Sequence, residues 1–315
     1  MHANVEVITN PRAWAVRVVQ WNPARNGIKY AVHGLAGARS RWLDLRTDGP
    51  EVSNIFAASS PKAGSQWMKA LFHHPVVRAH TGLFTLPQLD YQATPERVFP
   101  ASTFVPGLYC SHDEYLRMPK LRRHKVVYMF RDPRDVIVSG YHAAVQTHRK
   151  LNDPEIEAYR DRLRAMPMDD AITDIIHASA ERLHEAASWV GADDGTVATF
   201  RLENVAADPR HEVDRILRHC GVELAPEELE SVLTDVSRGA LQAKDLAARK
   251  AGSESHYRLS RTTFRDVFKP EHYAAMDEVA PGIVTRMGYP DHNEQPEGLH
   301  QPSSENDKGL TRQRT

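Results

Sequence analysis

The apolar run Ile55-Phe56-Ala57-Ala58 breaks into Ser59-Ser60-Pro61-Lys62-Ala63-Gly64-Ser65-Gln66-Trp67 and resumes as the helix-like Met68-Lys69-Ala70-Leu71-Phe72. A buried strand, a tight Pro/Gly loop carrying one lysine and a helix start together form a built anion site. The first N–H groups of such a helix lack partners and point outward, and the helix dipole favours negative charge there. Gly64 lets backbone approach a phosphate, Ser65 can cap the helix and donate to an oxygen, and Lys62 adds a point charge. No Gly-Lys-Ser/Thr follows at Walker A spacing. Taken alone, the segment also fits an ordinary strand-to-helix turn with a surface lysine.

A second segment has the same design. Lys125-Val126-Val127-Tyr128-Met129-Phe130 reads as a short buried strand ended by Arg131-Asp132-Pro133-Arg134-Asp135. A helix is expected from Pro133 to Gln146, with Pro133 in its first turn. Arg131 then sits at the strand's carboxyl edge, where open parallel sheets bind ligands, and Ser139 lies further along the helix. The plainer reading is an Arg131–Asp135 ion pair with Ser139 as helix filler.

These strand–loop–helix units predict an α/β fold, three-layer and P-loop-like, with a central parallel sheet flanked by helices. Central strands are expected at Ile55 to Ser59, Lys125 to Phe130 and Thr196 to Leu202. Helices are expected at Ser65 to His73, Pro133 to Gln146, Ala171 to Val190 and Pro209 to Cys220, the last capped by Gly221. Arg149 to Arg164 is charge-rich and reads as a helical excursion.

Together the two segments resemble the cytosolic-type sulfotransferase family, whose sulfonate donor is 3'-phosphoadenosine 5'-phosphosulfate (PAPS). Pro61-Lys62-Ala63-Gly64-Ser65-Gln66-Trp67 is similar to the family's Pro-Lys-x-Gly-Thr-Thr-Trp loop, which holds the 5'-phosphosulfate. Arg131 to His142 is similar to its Arg-(Asp/Asn)-Pro-(Arg/Lys)-Asp-x-x-x-Ser-x-Tyr-His motif, which grips the 3'-phosphate. Weaker echoes are Arg201-Leu202-Glu203, Arg249-Lys250-Ala251-Gly252, Phe264 to His272 and Met287-Gly288-Tyr289. The resemblance implies that Lys62, Ala63, Gly64, Ser65, Gln66, Trp67, Arg131, Ser139, Leu202, Arg249, Lys250 and Ala251 hold the donor. It also implies that Ser139 restrains Lys62 until acceptor binds. Trp67 can stack on adenine, and its plainer role is core packing between helix and sheet. Gln66, Leu202 and Ala251 depart from the family pattern, in residues that bear on the nucleotide grip.

Sulfonate transfer moves an electron-poor group in line between two oxygens, so the protein mainly positions reactants and stabilises charge on the leaving side. Lys62 is the candidate for the bridging oxygen, and no metal is needed. The acceptor also needs a base titrating near neutral pH. Among 17 histidines, His112 is the candidate, because Leu108-Tyr109-Cys110-Ser111-His112 resembles the family's strand ending in Lys-Thr-His. His73, His74 and His142 compete for that role.

Composition sets the limits. The chain has 315 residues, 41% hydrophobic, enough for one large core without disulfide staples. A formal net charge of -1 argues against general nucleic-acid binding. The two cysteines, Cys110 and Cys220, fit a reducing, cytoplasmic setting, with Cys220 a small core residue. No signal-like segment or run of about 20 apolar residues is present, so no membrane span is expected. Residues 1–50 read as an N-terminal extension, a hairpin or substrate flap; 51–290 as the sulfotransferase domain; 291–315 as a disordered tail. The partners this resemblance implies are PAPS and the hydroxyl or amine of a small, partly apolar acceptor, met by loops at Phe84 to Tyr91, Phe99 to Pro106 and Arg149 to Arg164. The oligomeric state is open, a homodimer being allowed. Two other readings stand beside this one: a nucleotide-binding protein that has lost transfer, and an ATP-dependent small-molecule kinase.

Overall fold

The structure is a computed structural model that describes residues 42, 52–85, 99–147, 154–248 and 262–291. Strand β1 (Asn54–Ser59) leads through the Pro61–Gly64 loop into helix α1 (Ser65–His73), followed by α2 (Pro75–Thr81), β2 (Phe84–Thr85) and β3 (Thr103–Leu108). Then come α3 (His112–Arg117), β4 (His124–Phe130), α4 (Pro133–His142), α5 (Pro154–Ala165), α6 (Met168–Ala178) and α7 (Ala180–Ala187). Strand β5 (Val197–Arg201) precedes α8 (Leu202–Ala207), α9 (Pro209–His219), α10 (Pro226–Asp235) and α11 (Arg238–Ala247). A 3-10 turn at Phe264–Asp266, α12 (Pro270–Val279) and α13 (Ile283–Arg286) close the described chain. The sheet order is β2-β3-β1-β4-β5, and every pairing is parallel.

Parallel strands buried on both faces must be apolar throughout, and all six residues of β1 and of β3 are buried. Side chains alternate between two cores. Phe56, Ala58, Val126, Tyr128 and Phe130 face a layer made by α4, α6, α7, α12 and α13. Ile55, Ala57, Val127 and Met129 face α1, α2, α9 and α10. The three-layer architecture expected from the sequence is borne out.

Several element limits differ from expectation. The helix from Pro133 ends at His142 and continues as one π turn, Ala143–Thr147. The single helix expected over Ala171 to Val190 begins earlier, at Met168, and breaks at Ser179 (φ -102°, ψ 0°). Its two halves follow different partners, α6 packing on α12 and α7 on α13. Leu202 is not the last strand residue but the first of α8.

Strand β3 carries an irregularity: Ala57 pairs with Pro106, yet Ala58 pairs with Leu108, leaving Gly107 as an extra residue. Gly107 has φ +68°, the left-handed region that glycine adopts freely. Proline and glycine in a strand mark such bulges, which bend the strand and re-aim the residues beyond them. Phe104 faces the α1 core and Val105 the opposite one, so strict alternation would return Leu108 to the α1 side. Leu108 instead lies with Val105. The inserted residue has flipped the strand's faces.

Three histidines tie this fold to pH. Burial, the main cause in each case, holds His73, His124 and His219 below the ordinary histidine value. His124 is 2.6 Å from the Leu121 carbonyl through Nδ1 and 2.8 Å from the Tyr115 hydroxyl through Nε2. The carbonyl requires a donor, so Nδ1 carries the proton and Nε2 accepts. Between the folded-state values and the unfolded value near 6.5, the unfolded chain binds more protons. The stability contributed by these neutral histidines is therefore complete above about pH 6.5 and is lost as pH falls below it. The denaturant midpoint should drop between about pH 7.5 and about pH 5.5. A midpoint that stays level or rises on acidification would rule out this role for the histidines.

Candidate functional site

The loop after β1 is built from left-handed backbone at two places. Lys62 has φ +70° and Gly64 φ +99°. A side chain at Gly64 would be strained by that angle, and a Cβ there would lie 3.1 Å from Leu202 Cδ1 and 3.3 Å from Met129 Cγ. Only glycine lets the loop close beneath Leu202. The Ala63 N–H donates to the Ser60 carbonyl at 3.2 Å, tightening the turn, and Ala63 is fully buried. Ser59 Oγ, at the base of the loop, is buried with no hydrogen-bond partner.

The helix cap is Gly64 rather than Ser65, the cap expected from the sequence; Ser65 is the first helical residue. Ser65, 8% exposed as a residue, instead accepts a hydrogen bond on its hydroxyl from the Tyr109 hydroxyl at 3.0 Å. Gln66 is exposed on the first turn of α1. Trp67 is half-buried, packs against the α1-side core, and its Nε1–H donates to the Val236 carbonyl at 3.1 Å.

Beside this loop lies the carboxyl end of β4, since β1 and β4 pair directly with Ser59 opposite Met129. Arg131 follows two residues later, half-buried, and pairs with Asp135 at 3.3 Å. The ion pair of the plainer sequence reading is thus formed. The other oxygen of Asp135 accepts the Phe264 N–H at 2.8 Å. Arg134 is buried differently: it is 2% exposed, forks onto Asp132 at 3.0 and 2.7 Å, covers the Phe264 ring at 3.9 Å and donates to the Pro290 carbonyl. Glu203 accepts from the Asp132 N–H and from the Tyr289 hydroxyl, each at 3.0 Å. Burial first, then the Glu203 carboxylate, push the Tyr289 phenol above its usual range. The Arg-Asp-Pro-Arg-Asp motif therefore presents Arg131 while Arg134, Asp132 and Asp135 fasten the C-terminal segment to the sheet edge. Ser139 is half-buried on α4.

On the other side of the loop, β3 also pairs with β1, and its exit carries Tyr109, Cys110, Ser111 and His112. The sequence suggests that His112 ends a strand. It is the first residue of α3, because Ser111 and Glu114 form a capping box that starts the helix there. The His112 ring lies 5.0 Å from Trp189 and 5.8 Å from Tyr115, and the backbone N–H of His112 donates to Ser188 Oγ. Trp189, fully buried, stacks on Tyr128 at 4.8 Å and donates to the Cys110 carbonyl at 2.8 Å. His112 is thus held in an aromatic setting, while the bond from this segment to Ser65 comes from Tyr109. Nothing in the residue types around Tyr109 marks it as functional; its one sequence signal is the Pro106-Gly107 pair inside an apolar strand.

The structure thus brings Lys62, Ala63, Gly64 and Ser65 together in one turn with Leu202 against it, and sets Arg131 just past the end of the next strand. Arg249, Lys250 and Ala251 lie outside the described residues, as do parts of the loops at Phe84 to Tyr91 and Arg149 to Arg164, most of residues 1–50, and 292–315. Among the described residues no group of three His, Cys, Asp or Glu side chains is arranged to hold a metal ion. Nor is any helix among them long and apolar enough to cross a membrane.

Known proteins resemble this chain in sequence or in fold. The flavonol 4'-sulfotransferase of Flaveria chlorifolia is 28% identical over 207 residues, covering 58% of this chain and 60% of the relative. This chain therefore spans less than two thirds of that relative's length. Cytosolic sulfotransferase 6 of Arabidopsis thaliana is 24% identical over 254 residues, covering 69% of this chain and 71% of the relative. The crystal structure of mouse sulfotransferase SULT7A1 complexed with PAP shares the fold, with a TM-score of 0.52 and 16% identity over 78% of this chain and 90% of that one. Residues 53–281 match the family described as sulfotransferase domain, most of the chain, and the protein belongs to that family.

Proposed function

We propose that this protein transfers the sulfonate group of PAPS to a hydroxyl of a small, partly apolar acceptor. The observation that carries the reading is the pairing of β1 with β4, which sets the Lys62 loop beside Arg131 at one carboxyl edge. Strands so paired are about 4.8 Å apart, so an anion site at the loop and a guanidinium just past the end of the neighbouring strand can serve one ligand with two phosphate groups. The family match and the flavonol-directed relative support the chemistry and the acceptor class.

On this reading the N–H groups of Gly64, Ser65 and Gln66 hold the phosphosulfate end, while Ala63, its own N–H held by the Ser60 carbonyl, shapes the turn. Arg131 and Ser139 hold the 3'-phosphate, and Arg249, Lys250 and Ala251 close over it. Trp67 and Leu202 flank the adenine. The acceptor oxygen forms a new bond to sulfur as the bond from sulfur to the bridging oxygen breaks. The leaving bisphosphate keeps that electron pair, Lys62 meets the charge growing on the bridging oxygen, and the acceptor's proton passes to His112. The catalytic domain spans 51–290, and the two thiols, not joined in a disulfide, suit the cytoplasm.

The test is release of 3'-phosphoadenosine 5'-phosphate (PAP) from PAPS in the presence of a phenol or flavonol panel. Product is expected with at least one such acceptor, and none with ATP and magnesium. His112→Ala should lower turnover by a factor of about 10²–10⁴, the span of general-base catalysis, with PAP binding unchanged. Unchanged turnover in that variant would remove His112 from the base role.

A further inference from the structure

We infer that Tyr109 is a positioning residue of the donor loop, acting through Ser65; this rests on the donor reading above. Sheet order places the exits of β3 and β4 on opposite flanks of the β1 loop. Arg131 occupies the β4 flank, and the β3 flank carries Tyr109. Its hydroxyl donates to Ser65 Oγ at 3.0 Å, across 44 residues of sequence.

The contact exists because of the bulge. With Gly107 inserted, Leu108 joins Val105 on the face opposite α1. Alternation then sends the next residue to the α1 side, where Ser65 begins that helix. Without the extra residue, Tyr109 would fall on the opposite face. The Pro106-Gly107 pair therefore brings a phenol to the loop, which an unbulged strand would not do.

The chemical consequence concerns a single proton. A serine hydroxyl has one proton to give and two lone pairs to fill. When the Tyr109 O–H fills one lone pair, the Ser65 proton can point at an anion in the loop. A hydroxyl that accepts one hydrogen bond is also polarised to donate a stronger one. Ser65 is nearly buried, so its rotor has little water to choose instead. Tyr109 thus fixes Ser65 as a donor toward the anion, and couples the β3 flank, where His112 also lies, to the donor's grip.

The test is a double-mutant cycle on PAP affinity, measured by calorimetry on full-length protein. Tyr109→Phe keeps the ring and removes only the hydroxyl. It should weaken PAP about 5- to 10-fold, as should Ser65→Ala. The double variant should be no weaker than Ser65→Ala, since partners in one hydrogen-bond chain are not additive. In turnover, the Tyr109→Phe effect should fall on KM for PAPS with the pH profile unmoved. Additive losses, or unchanged affinity in Tyr109→Phe, would overturn the inference while leaving the donor reading intact. Failure of the wild-type protein to bind PAP would overturn both.

Discussion

Lys62→Ala is expected to lower sulfonate transfer by a factor of about 10²–10³, the loss typical of removing one preorganised stabiliser of developing charge. The loss should lie mainly in turnover, because charge on the bridging oxygen grows only as the bond to sulfur breaks. The backbone supplies a control. Lys62 sits at φ +70°, a left-handed conformation that costs a non-glycine residue about 1 kcal/mol. Alanine inherits that strain and glycine does not. Lys62→Gly should therefore be as inactive as Lys62→Ala yet at least as stable, by up to about 1 kcal/mol after allowance for the extra freedom of the unfolded chain. Transfer kinetics and urea unfolding of the two variants check both statements. Equal turnover in wild type and either variant would remove Lys62 from the chemistry.

The largest loss of stability is expected at Arg134. It is 2% exposed, forks onto Asp132, covers Phe264 and holds the Pro290 carbonyl. Arg134→Met keeps much of the bulk but leaves the Asp132 side chain, 8% exposed, without its counter-charge. Breaking a buried pair on one side costs about 3–5 kcal/mol. Arg131→Ala, three residues away, should cost far less stability, because Arg131 is only half-buried and Asp135 retains the Phe264 N–H. Denaturant unfolding of the two variants separates them. Equal stability would refute the division of labour between the two arginines.

That division shows where the sequence stops being informative. Both arginines belong to one five-residue motif, and nothing local says which is buried. The answer comes from Phe264 and Pro290, more than 120 residues away, which close over one guanidinium and leave the other at the sheet edge. The central strands and α1 are legible because apolar runs bounded by Pro, Gly and charge carry their own limits. The helix break at Ser179 is not, since the amphipathic pattern runs through it and only packing on separate partners divides it. Strand β3 carries its Pro-Gly bulge signal in the sequence, but which face Tyr109 takes depends on the register against β1. The cap of α1 is hidden for a related reason. A serine beside a glycine looks like a cap, yet here Leu202 and Met129 press on Gly64 and the left-handed turn falls there.

Whether this carboxyl edge holds a 3',5'-bisphosphate nucleotide is decided by thermal unfolding with PAP, compared with ADP and with ATP plus magnesium. At about a hundred times its dissociation constant a ligand adds about 2.7 kcal/mol of apparent stability. PAP should stabilise the protein to an extent that ADP does not match and that Arg131→Ala removes. Stabilisation by ATP–magnesium alone would refute the bisphosphate site and favour a kinase.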